Sequence, residues 1–293
     1  MKPAPFEYFA PGTIGETLEL LSRYGEEGKI LAGGQSLMPL MNLRLARPRV
    51  LIDINRLTSL EYIAHGADGE LAVGALTRQR SLELSPAVKE RNPLLAAAMP
   101  LIGHFQTRNR GTVGGSVVHA DPAAELPAVS LALGAELSVK NERGERAIPA
   151  EDLFTGLMST AIEPTELLTE IRFPPWRWGS GWAIEEVARR RGDFAMVGAI
   201  ALIRFDGGDL CQEARLVLFG VGDRPLRAAR GEQVLQGRRP EPRIFAEAAA
   251  AAAEELDPIS DVHASAEYRK DVAACLIRRA LQTALLRREQ VTR

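Results

Sequence analysis

The sequence predicts an α+β protein of two domains, and three observations carry that expectation. The chain has 293 residues, more than one compact core usually serves. Helix and strand patterns interleave through the first part, whereas the last third gives two long strand runs followed by two long helical ones. Between these parts stands Pro174-Pro175-Trp176, followed by Gly179-Ser180-Gly181. Adjacent prolines interrupt strand pairing, and the glycines loosen the chain. The first domain is therefore placed at residues 1–176 and the second at 177–293.

Each element has its own signal. Thr13-Ile14-Gly15-Glu16 reads as a capping box, with Ile14, Leu18 and Leu21 on one helical face and Gly25 as the C-cap. Residues 29–31 read as a short buried strand that stops at Gly33-Gly34. Residues 37–45 suggest a helical turn made irregular by Pro39. A strand over 50–54 follows, then a hairpin of 61–64 and 70–74 about Gly66-Ala67-Asp68-Gly69. Thr77 is expected to cap a helix, and an alanine-rich helix runs over 93–99. Pro122 is expected to open a helix that buries Ala124, Leu126, Val129 and Leu133. Strands follow at 135–140 and in the run ending at Phe173. In the second domain, strands over 197–205 and 214–221 flank a turn at 206–209, and helices lie around 245–255 and 268–287. This predicts a small antiparallel sheet with helices on one side.

Composition excludes several function classes. Apolar residues make up 46% and charged ones 25%, as in an ordinary globular protein. Net charge is −2, from 36 basic and 38 acidic residues, so no basic excess draws the chain to nucleic acid or an anionic membrane. Arg189-Arg190-Arg191, Arg238-Arg239 and the tail from Arg278-Arg279 to Arg293 read as solvated surface. The two cysteines, Cys211 and Cys275, lack CxxC spacing, so neither a disulfide framework nor a four-thiolate iron–sulfur cluster is expected here. The four histidines show no HxxxH spacing, and no metal site is expected. No signal peptide and no apolar stretch of bilayer length is visible, so a cytoplasmic location is expected. Neither GxGxxG nor GxxxxGK[ST] occurs.

Two glycine-rich loops remain, Ala32-Gly33-Gly34-Gln35-Ser36 and Thr112-Val113-Gly114-Gly115-Ser116. Glycine lets the backbone approach a ligand closely, and successive amides can hydrogen-bond a diphosphate without mobile side chains. Gly-Gly is also common turn punctuation. Two such segments in one chain suggest an anion site, without saying which nucleotide.

The order of these and further blocks resembles the FAD-binding medium subunits of the molybdenum hydroxylases, the group that includes aerobic carbon monoxide dehydrogenase and the xanthine dehydrogenase FAD domain. Leu31-Ala32-Gly33-Gly34-Gln35-Ser36-Leu37-Met38-Pro39 resembles the family's first FAD segment. Arg108-Asn109-Arg110-Gly111-Thr112-Val113-Gly114-Gly115-Ser116, continued by Ala120-Asp121-Pro122-Ala123-Ala124-Glu125-Leu126-Pro127, resembles the second. Arg190-Arg191-Gly192-Asp193-Phe194-Ala195 and Ser265-Ala266-Glu267-Tyr268-Arg269 resemble blocks of its C-terminal part. The likeness spans essentially the whole chain.

The resemblance implies a PCMH-type (vanillyl-alcohol-oxidase-like) FAD-binding domain over 1–176, in lobes of about 1–57 and 58–176, with an antiparallel sheet in the larger lobe. A smaller C-terminal α+β domain would follow. It implies one non-covalent FAD. Gly33, Gly34, Gly114 and Gly115 would be pyrophosphate amide donors, with side-chain bonds from Gln35, Ser36, Thr112 and Ser116. Many members of the family have His where Gln35 stands. Ala32, Leu37, Asn109, Ala124 and Leu168 would be further FAD neighbours. Glu125 would accept from a ribose or ribityl hydroxyl, or else answer its own helix dipole. Asp121 would be a helix N-cap, and Asp193 and Phe194 would stand near the flavin ring. His104 and His119 are read as ordinary polar residues. No catalytic acid or base is assigned in this chain.

The family's partners would supply a large subunit carrying molybdenum–pterin and a small subunit carrying two [2Fe–2S] clusters, in a dimer of heterotrimers. Electrons would pass from the clusters through FAD to an external acceptor. A free-standing FAD oxidoreductase of the same fold and a non-catalytic nucleotide-binding module are the alternatives.

Overall fold

Three sheets organise the chain, each answering a different part of the sequence. The computed structural model describes residues 2–179, 181–207 and 209–292. Met1, Ser180 of the loosening segment, Gly208 of the 206–209 turn and Arg293 of the arginine tail lie outside the described residues.

The first sheet is wholly parallel. Strands β1 (Glu7–Phe9), β2 (Gly28–Leu31) and β3 (Val50–Asp53) stand in the order β1-β3-β2. The helix Ile14–Tyr24 makes the first crossover, burying Leu18 and Leu21 against Val50 and Ile52. Its start is held by the Glu16 amide, which donates to Thr13 Oγ1 at 3.1 Å. The Glu16 carboxylate accepts from the Gly12 amide at 2.7 Å, one residue before the position a standard capping box uses. Gly25, at φ 49°, ends the helix as expected. The helix Leu37–Asn42 leads from β2 towards β3.

The second sheet is antiparallel. It contains β4 (Ile63–His65), β5 (Leu71–Gly74), β6 (Glu136–Asn141) and β7 (Gly144–Pro149). A separate ribbon pairs β8 (Phe154–Gly156) with β9 (Ser159–Thr160), and β10 (Leu167–Phe173) returns to the centre. The order is β4-β5-β10-β6-β7. Helices on one face bury Leu94, Leu95, Leu126 and Val129 against Val73, Val139 and Ile171.

The third sheet, β11 (Trp182–Val187), β12 (Val197–Phe205), β13 (Cys211–Phe219) and β14 (Leu226–Arg227), is antiparallel in that order. Its side chains alternate between two cores. Ile200, Leu202, Val217 and Phe219 join the core of the second sheet. Ala199, Ala201, Leu216 and Leu218 pack under the helices Pro242–Glu254 and Ala266–Thr292.

Three local expectations are corrected. Thr77 caps no helix: its hydroxyl donates to the Tyr62 carbonyl at 2.7 Å and accepts from the Tyr62 amide at 3.1 Å, and the helix begins at Gln79. The helix after Pro122 begins only at Glu125, because Asp121 Oδ1 takes the Ala123 amide at 2.9 Å and closes a turn first. The second glycine segment is not a loop, for Val113–His119 is a helix with Thr112 as its N-cap.

Candidate functional site

The first glycine segment leaves the end of β2 and folds over as the approach to a short helix. Gly34 takes φ 71°, a conformation that favours glycine. Among the described residues the amides of Gly33, Gly34, Gln35, Ser36 and Leu37 donate to no protein acceptor. The next amide, Met38, is taken by the Gly34 carbonyl at 3.1 Å. Ser36 occupies the N-cap position, yet its hydroxyl makes no cap bond. Gln35 is exposed and turns back, its Nε2 donating to the Gly33 carbonyl at 2.9 Å. Five successive free amides and a free hydroxyl form a concentrated set of hydrogen-bond donors suited to an anion.

The second glycine segment lies against the first. A Cβ on Gly33 would stand 2.5 Å from the Arg110 carbonyl oxygen and 2.8 Å from Gly111 Cα. Ala32 lies near Gly115 in the same way. The amides of the second segment, however, are already used. Val113 donates to the Thr77 carbonyl at 3.0 Å and Gly114 to the Ala75 carbonyl at 2.9 Å. Gly115 donates to Thr112 Oγ1 at 3.1 Å, and Ser116 to the Thr112 carbonyl at 3.2 Å. The expectation that Gly114 and Gly115 offer pyrophosphate amides is therefore corrected. Gly114 is glycine because a Cβ would meet Ala75 backbone oxygen at 2.7 Å. Its role is to let the helix Val113–His119 press against β5 and its continuation. Ser116 is half-buried one turn into that helix.

A clamp that the sequence reading missed joins the two segments. Asn55 Nδ2 donates to the Ala32 carbonyl at 2.8 Å and to Asp53 at 2.7 Å. Arg78 donates to Asn55 Oδ1 at 2.9 Å and to the Arg110 carbonyl at 2.6 Å. Neither residue belongs to a glycine-rich block, so only three-dimensional proximity reveals them. Within the second block, Arg108 turns inward. It pairs with Glu83 at 2.8 Å and donates to the Ile102 and Gly103 carbonyls. Two arginines, Arg108 first and Arg80 with it, hold the Glu83 carboxyl below its usual range. Asn109 stays exposed beside it.

Glu125 opens its helix with only 4% exposure, and its carboxyl accepts from its own backbone amide. Burial pushes its carboxyl up to about 8, with Glu186 and Asp121 adding to the shift. Glu186, on β11, has one buried oxygen without a partner, and burial raises it to about 7. Ala124 is buried at the N-cap beside Glu125. Leu168 is 5% exposed and sits in the core with Leu137 and Val139. Burial lowers the His119 imidazole, which favours its neutral form.

The second domain adds a wall. Gly192, at φ 91°, lies so close to Gly103 and His104 that a Cβ would meet the His104 ring at 2.7 Å. Asp193 and Phe194 follow, both exposed. The Gly220 amide donates to the Pro122 carbonyl at 2.8 Å. Arg269 locks this region by donating to the Met196 carbonyl, to the Gly220 carbonyl at 2.8 Å and to Asp261 at 2.8 Å. The structure thus sets the first glycine segment against the Arg110–Gly115 backbone, Gly192 against Gly103 and His104, and Gly220 against Pro122. It leaves Leu168 in the core.

Comparison with known proteins matches this arrangement along nearly the whole chain. Residues 4–176 match the FAD binding domain in molybdopterin dehydrogenase, and residues 182–284 match the CO dehydrogenase flavoprotein C-terminal domain. The chain is 42% identical over 287 residues to the 6-hydroxypseudooxynicotine dehydrogenase complex subunit alpha of Paenarthrobacter nicotinovorans, covering 98% of this chain and 97% of that one. Among solved structures it is similar to carbon monoxide dehydrogenase from Hydrogenophaga pseudoflava, with a TM-score of 0.95 at 39% identity, covering 98% and 99% of the two chains. It is also similar to quinoline 2-oxidoreductase from Pseudomonas putida 86, with a TM-score of 0.92 at 35% identity, covering 97% and 98%.

Proposed function

This chain belongs to the family of FAD-binding medium subunits of the molybdenum hydroxylases, and we propose that it holds one FAD non-covalently as an electron-transfer station of such a complex. The observation that carries the reading is the row of five unpartnered amides, Gly33 to Leu37, with the Ser36 hydroxyl beside them. They fit a pyrophosphate, and Gly33 leaves no space there for any side chain. The second segment contributes shape: Gly111, Thr112, Gly114, Gly115 and Ser116 form a rigid floor, and the amides of Gly111, Gly114, Gly115 and Ser116 are already bonded within the protein. Ala32, Gln35, Asn109, Ala124 and Glu125 border the cofactor, and Asp193 and Phe194 stand at its redox end. Leu168 serves chiefly as packing beneath it. The cofactor-holding unit is residues 1–176, and 177–293 closes the groove.

Bound FAD supplies two-electron and one-electron redox chemistry, and the protein binds, orients and shields it. We assign no catalytic acid–base pair among the described residues, a reading that suits electron transfer more than independent turnover of an organic substrate. Among the described residues no group of three or more His, Cys, Asp or Glu stands ready for a metal. Relatives named as a complex subunit and as a medium chain support a reading in which the molybdenum–pterin and two [2Fe–2S] clusters belong to a large and a small partner subunit, in a dimer of heterotrimers within the cytoplasm. Electrons enter FAD from the clusters and leave to an external acceptor.

Purified protein should be yellow, and heat should release FAD and not FMN. A colourless chain that takes up no added FAD would overturn the cofactor assignment. Isolation without co-purifying iron–sulfur and pterin-binding subunits from the native host would overturn the complex.

A further inference from the structure

We propose that Glu186 of the second domain joins Glu125 of the first in a hydroxyl-binding carboxyl pair across the domain junction, a subsite for a polyol segment of the cofactor. The inference rests on the FAD reading and deepens it by adding a ligand from outside the glycine segments.

The alternation of β11 fixes where Glu186 points. Trp182 and Ile184 pack against the first-domain core, and Glu186 shares their face. Ala183 and Val187 pack in the other core. Glu185, on that same side, accepts from Arg279 at 3.1 Å and from Thr283 at 3.1 Å on the last helix. Glu186 therefore faces the domain that carries Glu125. The two carboxyls are near enough for Glu186 to disfavour ionisation of Glu125.

Both groups lack what a buried carboxyl needs. The Glu125 carboxyl is met only by its own backbone amide, and one Glu186 oxygen is buried without a partner. A buried polar group left unpaired is costly, so such pairs persist where a ligand completes them. A protonated carboxyl both donates and accepts and an ionised one accepts, so the two groups together offer acceptors and a donor. An alcohol, itself donor and acceptor, matches that set. A metal ion matches poorly, because no third His, Cys, Asp or Glu stands with the pair among the described residues. FAD carries hydroxyls in two places, the ribityl chain and the adenosine ribose.

The test strips FAD from the full chain and titrates FAD, FMN and ADP into wild type, Glu186→Leu and Glu186→Gln. The leucine variant removes an unpaired buried carboxyl beside Ile184, so its unliganded melting temperature should hold or rise. Its FAD affinity should fall about tenfold or more, the equivalent of roughly one charge-assisted hydrogen bond. The glutamine variant should show a smaller loss of the same sign. Loss for FMN with ADP unchanged assigns the ribityl chain, and the reverse assigns the ribose; either supports the subsite. FAD affinity within about twofold of wild type in a folded variant overturns it. Wild type that binds no FAD at all would instead sink the cofactor reading itself.

Discussion

Gly33, Gly114 and Glu125 show how differently single residues serve one site. Gly33 stands where a side chain would strike the Arg110 carbonyl, so Gly33→Val should part the two segments and weaken FAD binding by about tenfold or more. Equilibrium titration checks this, and undiminished affinity would contradict the cradle. Gly114→Val should instead act on stability, since its obstacle is Ala75. The expected signature is a lower melting temperature in the unliganded chain. The carboxyls make a pH prediction. The folded values of about 8 for Glu125 and about 7 for Glu186 lie above the ordinary 4.5, so the folded chain keeps protons that the unfolded chain releases. Their contribution is complete below about pH 4.5 and is lost as pH rises through 7 and 8. Depressed groups such as Glu83 act in the opposite sense, losing their contribution as pH falls. Melting of the unliganded chain should therefore decline between about pH 5.5 and about pH 8.5. Glu125→Gln should flatten that decline, and an equal slope in the variant would refute the assignment.

At the scale of elements, strong periodicity made much of the chain legible. The helix Ile14–Tyr24, strands β2, β3 and β12, and the β4–β5 hairpin all follow from cap residues, alternation and turn chemistry. Strand β7 did not, because Glu145, Arg146 and Ala147 are exposed and give no alternating pattern. The helix Val113–His119 was read as a loop because Gly-Gly is a poor helix former. Thr112 and the carbonyls of Ala75 and Thr77 impose the helix from outside. Amide donors at Gly33 and Gly34 were expected, but the continuation of free amides through Leu37 was not, and the clamp by Asn55 and Arg78 has no local signature. Arg78→Ala should cost about 1–3 kcal/mol and loosen both segments, read as lower stability together with weaker FAD binding. Glu83→Gln should cost about 3 kcal/mol or more, since it leaves the inward Arg108 without its counter-ion. Denaturant unfolding measures both.

Across the whole molecule, the two domains meet through the third sheet and the Gly220–Pro122 bond, and within the second domain the Arg269 lock holds the Gly220 end of that bond. Arg269 is 7% exposed, and the amides of His263 and Ala264 together with Arg269 hold the Asp261 carboxyl down at about 2. Arg269→Ala should release the 192–196 segment. FAD should then dissociate faster while the glycine cradle stays intact, and flavin-release kinetics would show it. An unchanged off-rate would mean that the second domain does not help retain the cofactor. The resemblance of ordered motif blocks made this architecture readable from sequence, but not the facing of Glu186 and Glu125. That relation depends on strand alternation in one domain meeting a helix start in the other.

The double-sided burial of β12 also sets a timetable. Its Ile200 and Leu202 cover the cofactor domain, while its Ala199 and Ala201 wait for two helices that are synthesised last. A nascent chain halted after Phe173 would present bare apolar surface and a groove lacking its Gly192 wall. Flavin capture is therefore expected to follow emergence of the Gly192 segment and of the helices Pro242–Glu254 and Ala266–Thr292, and FAD binding by stalled nascent chains of increasing length would test it.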